Sequence, residues 1–224
     1  ASVGTASDAL DTDVASLSLT ASGDAYLNEA SGLTVSSAST GVLNLSTGGA
    51  TALQTVNASG HVSVSLSAGD LTVGSITATN KAVSLSTTGA VLDGDTAVDI
   101  TAQSLSITAA SVGTASDALD TDVASLSLSA SGAAYLKEAS GLTVSSASTG
   151  VLSLATGGAT ELQSLTATGS VTLVSSAGTL TVGSITATGQ AVSLSTAGAL
   201  IDGDVQVDIT AQSLSITAAS VGTA

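Results

Sequence analysis

The sequence predicts an all-β fold, a parallel β-helix (β-solenoid) with about five coils per repeat. Three observations predict it. The chain repeats itself at a fixed offset, short apolar segments alternate with a period of two, and Gly-containing turn clusters separate those segments. Helix is disfavoured. No apolar stripe recurs at i, i+3, i+4 and i+7, and Ser, Thr, Val and Gly are poor helix formers.

The repeat comes first. Ala-Ser-Val-Gly-Thr-Ala-Ser-Asp-Ala-Leu-Asp-Thr-Asp-Val-Ala-Ser-Leu-Ser-Leu starts at Ala1 and again at Ala110. Leu-Thr-Val-Gly-Ser-Ile-Thr-Ala-Thr starts at Leu71 and Leu180, and Ile-Thr-Ala-Gln-Ser-Leu-Ser-Ile-Thr-Ala at Ile100 and Ile209. The offset is 109 residues each time, and about four positions in five are identical. This pattern reads as tandem duplication: repeat one at 1–109, repeat two at 110–218, and the start of a third at 219–224. Neither end carries the polar cap that a free solenoid end needs. The expectation is an excerpt of a longer array, or a subunit that stacks end to end.

Within repeat one the alternating segments are 17–19, 33–35, 43–45, 62–66, 71–73, 83–85, 98–100 and 105–107. Alternation turns Leu, Val and Ile inward and Ser and Thr outward. Between them lie Ala-Ser-Gly, Ser-Thr-Gly, Thr-Gly-Gly, Ser-Ala-Gly and Thr-Thr-Gly, with Gly available where the backbone turns. Coils placed at Val14, Leu33, Leu53, Leu71 and Val98, with the next at Val123, are 18–27 residues long. At about 4.8 Å per coil, one repeat advances roughly 24 Å. A β-sandwich competes, because turn signals every ~8–12 residues also suit it. The segments are too short and uniform for one, and the large side chains of a sandwich core are missing.

Composition agrees with a thin aliphatic core. The chain has 224 residues, 43% of them hydrophobic, and lacks Pro, Cys, Met, Trp and Phe. Two Lys and no Arg face seventeen acidic residues, for a net charge of −15. That balance argues against nucleic acid, whose phosphates demand cations, and against an anionic membrane surface. No apolar run approaches the ~18 residues of a membrane span. The absence of Cys fits an extracellular bacterial protein built without disulfides.

The segments 3–19 and 25–35 (Ala-Tyr-Leu-Asn-Glu-Ala-Ser-Gly-Leu-Thr-Val), their copies at 110–144 and the Leu-Asp-Gly-Asp stretch at 92–95 carry a family resemblance. They resemble the repeat regions of giant bacterial surface exoproteins related to filamentous haemagglutinin-type adhesins. The resemblance covers essentially the whole chain. It implies a right-handed parallel β-helix, export to the cell surface, and a role in attachment or extracellular fibre formation. The secretion and receptor-binding domains of such proteins have no counterpart in this stretch.

Two features stand out as candidate sites. Asp93 and Asp95 close one proposed coil, and Asp117, Asp120 and Asp122 close the next. Stacked in register, these oxygen-rich loops are candidates for a calcium site. Asp also favours turns, where it caps its own backbone. The Ca²⁺-binding nonapeptide of other solenoids is absent. Tyr26 and Tyr135, the only aromatic residues, occupy equivalent positions and alternate outward, making them candidates for lateral contact between fibres.

Other polar residues read as surface. His61 becomes Ser170, Lys81 becomes Gln190, and Lys137 stands where repeat one has Asn28. Asn-Leu-Ser at 44–46 and Asn-Ala-Ser at 57–59 match the glycosylation triplet and are lost in repeat two. The Thr-Ala-Thr motifs at 77–79 and 186–188 resemble ice-binding pairs, but such surfaces need one on nearly every coil.

Catalysis is not expected. Lyase chemistry needs a base and a cation to stabilise a developing anion, and neither the lysines nor His61 recur between repeats. Glycoside hydrolysis needs a unique cleft with sugar contacts. Two classes remain: a structural segment of an extracellular fibre, sheath or stalk, and an adhesive module. The second would bind another cell or a polysaccharide through Ser/Thr-rich or acidic faces. The expected partner is the protein itself, by end-to-end continuation and lateral bundling.

Overall fold

The computed structural model describes residues 1–222. Among them every regular element is a β-strand, and every strand pairs in parallel with a neighbouring coil, on both sides except at the two ends of the stack. Among the described residues no helix is long and apolar enough to cross a membrane. The result is the expected β-solenoid, of about eleven coils.

The coils can be followed up a single column of stacked residues. Leu10 lies under Leu27, and the column continues through Leu45, Val64, Leu85, Ile107, Leu128, Ala147, Leu165, Ile185 and Ile209. Alternation does what period two requires. Leu43, Leu45, Val62, Val64 and Leu85 are buried to within 1% of full, while Ser84 and Ser106 beside them face out. Burying each such aliphatic side chain is worth ~1.5–3 kcal/mol.

Each coil of repeat one has two walls. One is the bent strand Leu33–Thr40, and the other is the straight strand Leu43–Thr47. The walls exchange sides between repeats. The column that starts at Leu33 runs through Thr51, Leu71, Val91, Val112 and Ala134 to Leu152, the counterpart of Leu43. The column that starts at Leu43 runs through Val62, Val83, Leu105 and Leu126 to Val144, the counterpart of Val35. A 109-residue repeat therefore spans five coils and a half. At about 4.8 Å per coil it advances about 26 Å while turning through half a revolution.

This sharpens the sequence-based coil boundaries. Leu33, Leu53 and Leu71 hold the expected wall, but the next two passages are at Val91 and Val112. Val98, assigned inward, is 39% exposed, and Asp99 beside it is fully buried. Alternation failed there because the chain leaves the wall after Asp93 and re-enters it at Ile100.

Glycine is required where coils approach each other. A Cβ on Gly48 would sit 2.0 Å from the Ala30 carbonyl oxygen, and on Gly157 the same distance from that of Ala139. The strand Ile76–Ser86 bends at Asn80, with φ of 60°, and the copy of that bend carries Gly189 at φ 74°.

Candidate cation site

Asp93 ends the strand Ala90–Asp93, and the chain then makes two consecutive turns closed by carboxylates. The Asp95 N–H donates to Asp93 Oδ1 at 2.7 Å, and the Ala97 N–H donates to Asp95 Oδ1 at 2.7 Å. Such turns are what Asp favours locally. They bring the chain back so that Asp99 enters the solenoid just before the strand Ile100–Ala109.

The backbone of Asp99 is locked between coils. Its N–H donates to the Asp120 carbonyl at 2.9 Å, and its carbonyl accepts from the Ile76 N–H at 2.6 Å. Its side chain is fully buried. Oδ2 accepts from the Asp120 N–H at 2.9 Å, whereas Oδ1 has no hydrogen-bond partner. One carboxylate oxygen from each of Asp93, Asp95 and Asp99 lies within 4.8 Å of the others.

The electrostatics follow from that crowding. Burial pushes the Asp99 carboxyl up to about 8, and the charges of Asp93, Asp95 and Asp120 add to the rise. Asp93 is also raised, by burial first and then by Asp117, Asp120 and Asp95, against one stabilising hydrogen bond. In water two carboxylates ~5 Å apart repel by only ~0.8 kcal/mol, but near protein the figure is about 3 kcal/mol. A proton or a cation at the buried Asp99 would relieve that repulsion.

The same construction recurs in repeat two. The Asp204 N–H donates to Asp202 Oδ1 at 2.8 Å, the Gln206 N–H to Asp204 Oδ1 at 2.6 Å, and Asp208 Oδ1 is unpartnered. Asp202, Asp204 and Asp208 form a second group with oxygens within 4.8 Å. Burial, then Asp202 and Asp204, raise Asp208. Asp93 stands above Val73 in the column of Val35, while Asp202 stands above Val182 in the column of Val144. The half-turn thus puts the two groups on opposite walls.

Of the five acidic residues singled out from sequence, Asp93 and Asp95 are brought together and joined by Asp99. Asp117 closes a separate turn with Thr114, near enough to Asp93 to repel it. Asp120 pairs with Lys137 at 3.0 Å, and Asp122 is exposed one coil above Thr101. Neither is in the group of three. Asp99 was legible only as a Val-Asp-Ile alternation, which pointed it outward.

Sequence reasoning also passed over Glu29 and Glu138, both buried. Each ties a corner of the coil. Glu138 accepts from Thr121 Oγ1, the Val123 N–H, the Ser140 N–H and Ser140 Oγ, all at 2.8–3.0 Å. The signal was present. Ala25, Leu27 and Glu29 share one face of a strand, so alternation turns Glu29 inward with the leucine.

Tyr26 and Tyr135 are half-buried and outward-facing, under Asn44 and Ser153 respectively. They too lie on opposite walls. His61 and Lys81 are exposed. Thr77 shares its outward column with Ser39, Asn57, Thr101 and Asp122, which is no threonine array. In comparisons with known proteins, no family model, no curated protein and no solved structure matches this chain, so the chemistry of its sites rests on its own residues.

Proposed function

We propose that this chain is a structural segment of an extracellular bacterial fibre, sheath or adhesin stalk, and that it carries no catalytic activity. One observation carries the reading. The first residues of the third copy continue the stack without a break, with Ser220 over Ala199 and Val221 over Leu200. The register that joins repeat one to repeat two therefore also joins repeat two to a third, so each added copy extends the same ladder of main-chain hydrogen bonds. Near-identical copies supply length and stiffness, whereas a receptor or catalytic site needs one unlike patch. The extracellular setting draws on the resemblance to surface exoproteins and on the Cys-free composition.

Electron microscopy of the native assembly tests this. A uniform filament with the thickness of the solenoid is the expected result. Isolated stalks that end in distinct heads would move the function to the heads and leave this segment a spacer. Globular particles would overturn the reading.

A further inference from the structure

We infer that Asp93, Asp95 and Asp99 hold one Ca²⁺ ion, and that Asp202, Asp204 and Asp208 hold a second on the opposite wall. The inference is independent of the fibre reading, because it concerns a site within one chain.

Four features carry it. First, the donor set is all carboxylate oxygen, which hard divalent cations select over zinc or copper. Second, the three oxygens lie within 4.8 Å of one another, close enough for a single cation with ligands at about 2.4 Å to bridge them. Third, Asp99 belongs to that group and is fully buried, and its Oδ1 has no hydrogen-bond partner. Native proteins rarely leave such an atom without a ligand. Fourth, the arrangement is built twice, with the same two turns and the same orphaned oxygen at Asp208.

Ca²⁺ fits better than Mg²⁺. The carboxylates come from a loop whose exposed outer part lies beside solvent, so water completes an irregular shell of six to eight oxygens. Mg²⁺ demands tighter octahedral spacing. The chain's net charge of −15 makes cation capture favourable at long range as well.

The test is calorimetric titration of the whole chain, stripped with chelator, with CaCl₂ at neutral pH and with MgCl₂ in parallel. The expected result is two binding events per chain for Ca²⁺, in the micromolar to millimolar range, with weaker heat for Mg²⁺ and a higher melting temperature in Ca²⁺ than in chelator. Asp95→Asn removes one event and Asp204→Asn the other. Both positions are exposed and asparagine keeps the turn, so the fold survives, and circular dichroism verifies it. Glu161→Gln, an exposed acid outside both groups, changes neither event. Asp99→Asn abolishes the first event at unchanged main-chain geometry. No heat up to about 10 mM Ca²⁺, beyond the weakest extracellular calcium modules, overturns the inference and leaves a proton on Asp99 as the neutralising partner. Heat that persists in the folded Asp95→Asn/Asp204→Asn double variant overturns it equally.

Discussion

Leu19 and Leu128 occupy the same position in two nearly identical repeats, yet they stand in different columns of the solenoid. Leu19 lies under Ala38, in the column that continues through Val56 and Ile76 to Ile100, whereas Leu128 lies over Ile107 and under Ala147. The two columns belong to opposite walls. A half-integer coil count means that the same sequence must serve as a straight wall over a bent wall at each junction. That condition explains why both walls use the same outward Ser/Thr and inward Leu/Val alternation.

A long array of these repeats is therefore expected to have near-twofold screw symmetry. Each 109-residue copy rises about 26 Å and turns close to 180°, adjusted by the intrinsic twist of the sheet. Helical reconstruction of a filament, or its fibre diffraction, measures both numbers. Gold bound to cysteines introduced at Tyr26 and Tyr135 should decorate two opposite rows. A single row would mean a whole number of coils per copy.

The two walls and the alternation within them were legible in the sequence because period two and turn clusters are local signals. The half coil was not. Coil length varies from 17 residues, between Leu10 and Leu27, to 24, between Ile76 and Ile100, so counting apolar segments cannot fix the phase. Only the pairing partners do. The Asp-rich loops were visible as composition, but Asp99 was not, because burial of that residue depends on Asp120 one coil away. Glu29 and Glu138 were readable from alternation and were outweighed by the habit of placing charge outside.

Those two glutamates should give the chain opposing pH responses. In Glu138 burial wins over four hydrogen bonds and holds the carboxyl above its ordinary 4.5. Its contribution is full below 4.5 and is lost as pH rises through the folded value. In Glu29 burial also acts upward, but bonds from Thr12, Val14 and Ser31 together outweigh it and hold the carboxyl low. Its contribution is present above 4.5 and is lost as pH falls through the folded value. Chelator-treated Glu138→Gln should therefore lose less stability than the parent between pH 5 and pH 8, read by urea melts. Glu138→Ala should cost about 3–5 kcal/mol, because it strands several buried donors at once.

The bend at Asn80 gives a backbone test. Asn80 holds φ of 60°, and repeat two places glycine at its counterpart, Gly189. Both residue types tolerate the left-handed region, and β-branched residues do not. Asn80→Gly should be nearly neutral, and Asn80→Val should cost about 1–2 kcal/mol. No atom lies within 4 Å of a Cβ added to Gly189, so Gly189→Val should cost a similar amount through conformation alone. Equilibrium unfolding of the three variants checks this. Equal stability of Asn80→Val and the parent would remove the strain argument.

Gly48 makes the complementary case, in which space rather than φ decides. Its added Cβ meets the Ala30 carbonyl oxygen at 2.0 Å, and the Ala30 main chain cannot retreat because its N–H is bonded to the Thr12 carbonyl one coil below. The Gly48 N–H is likewise bonded to the Glu29 carbonyl at 2.9 Å, so relief requires breaking the stack at a turn. Overpacking of this kind costs about 1–3 kcal/mol. Gly48→Ala should lower the unfolding midpoint by that amount, and the Gly48→Ala/Gly157→Ala pair should cost about twice as much, since the two turns sit far apart along the axis and share no contacts. A strongly non-additive pair would instead mean that strain at one turn travels along the ladder to the other, and that the array yields as one elastic unit rather than coil by coil.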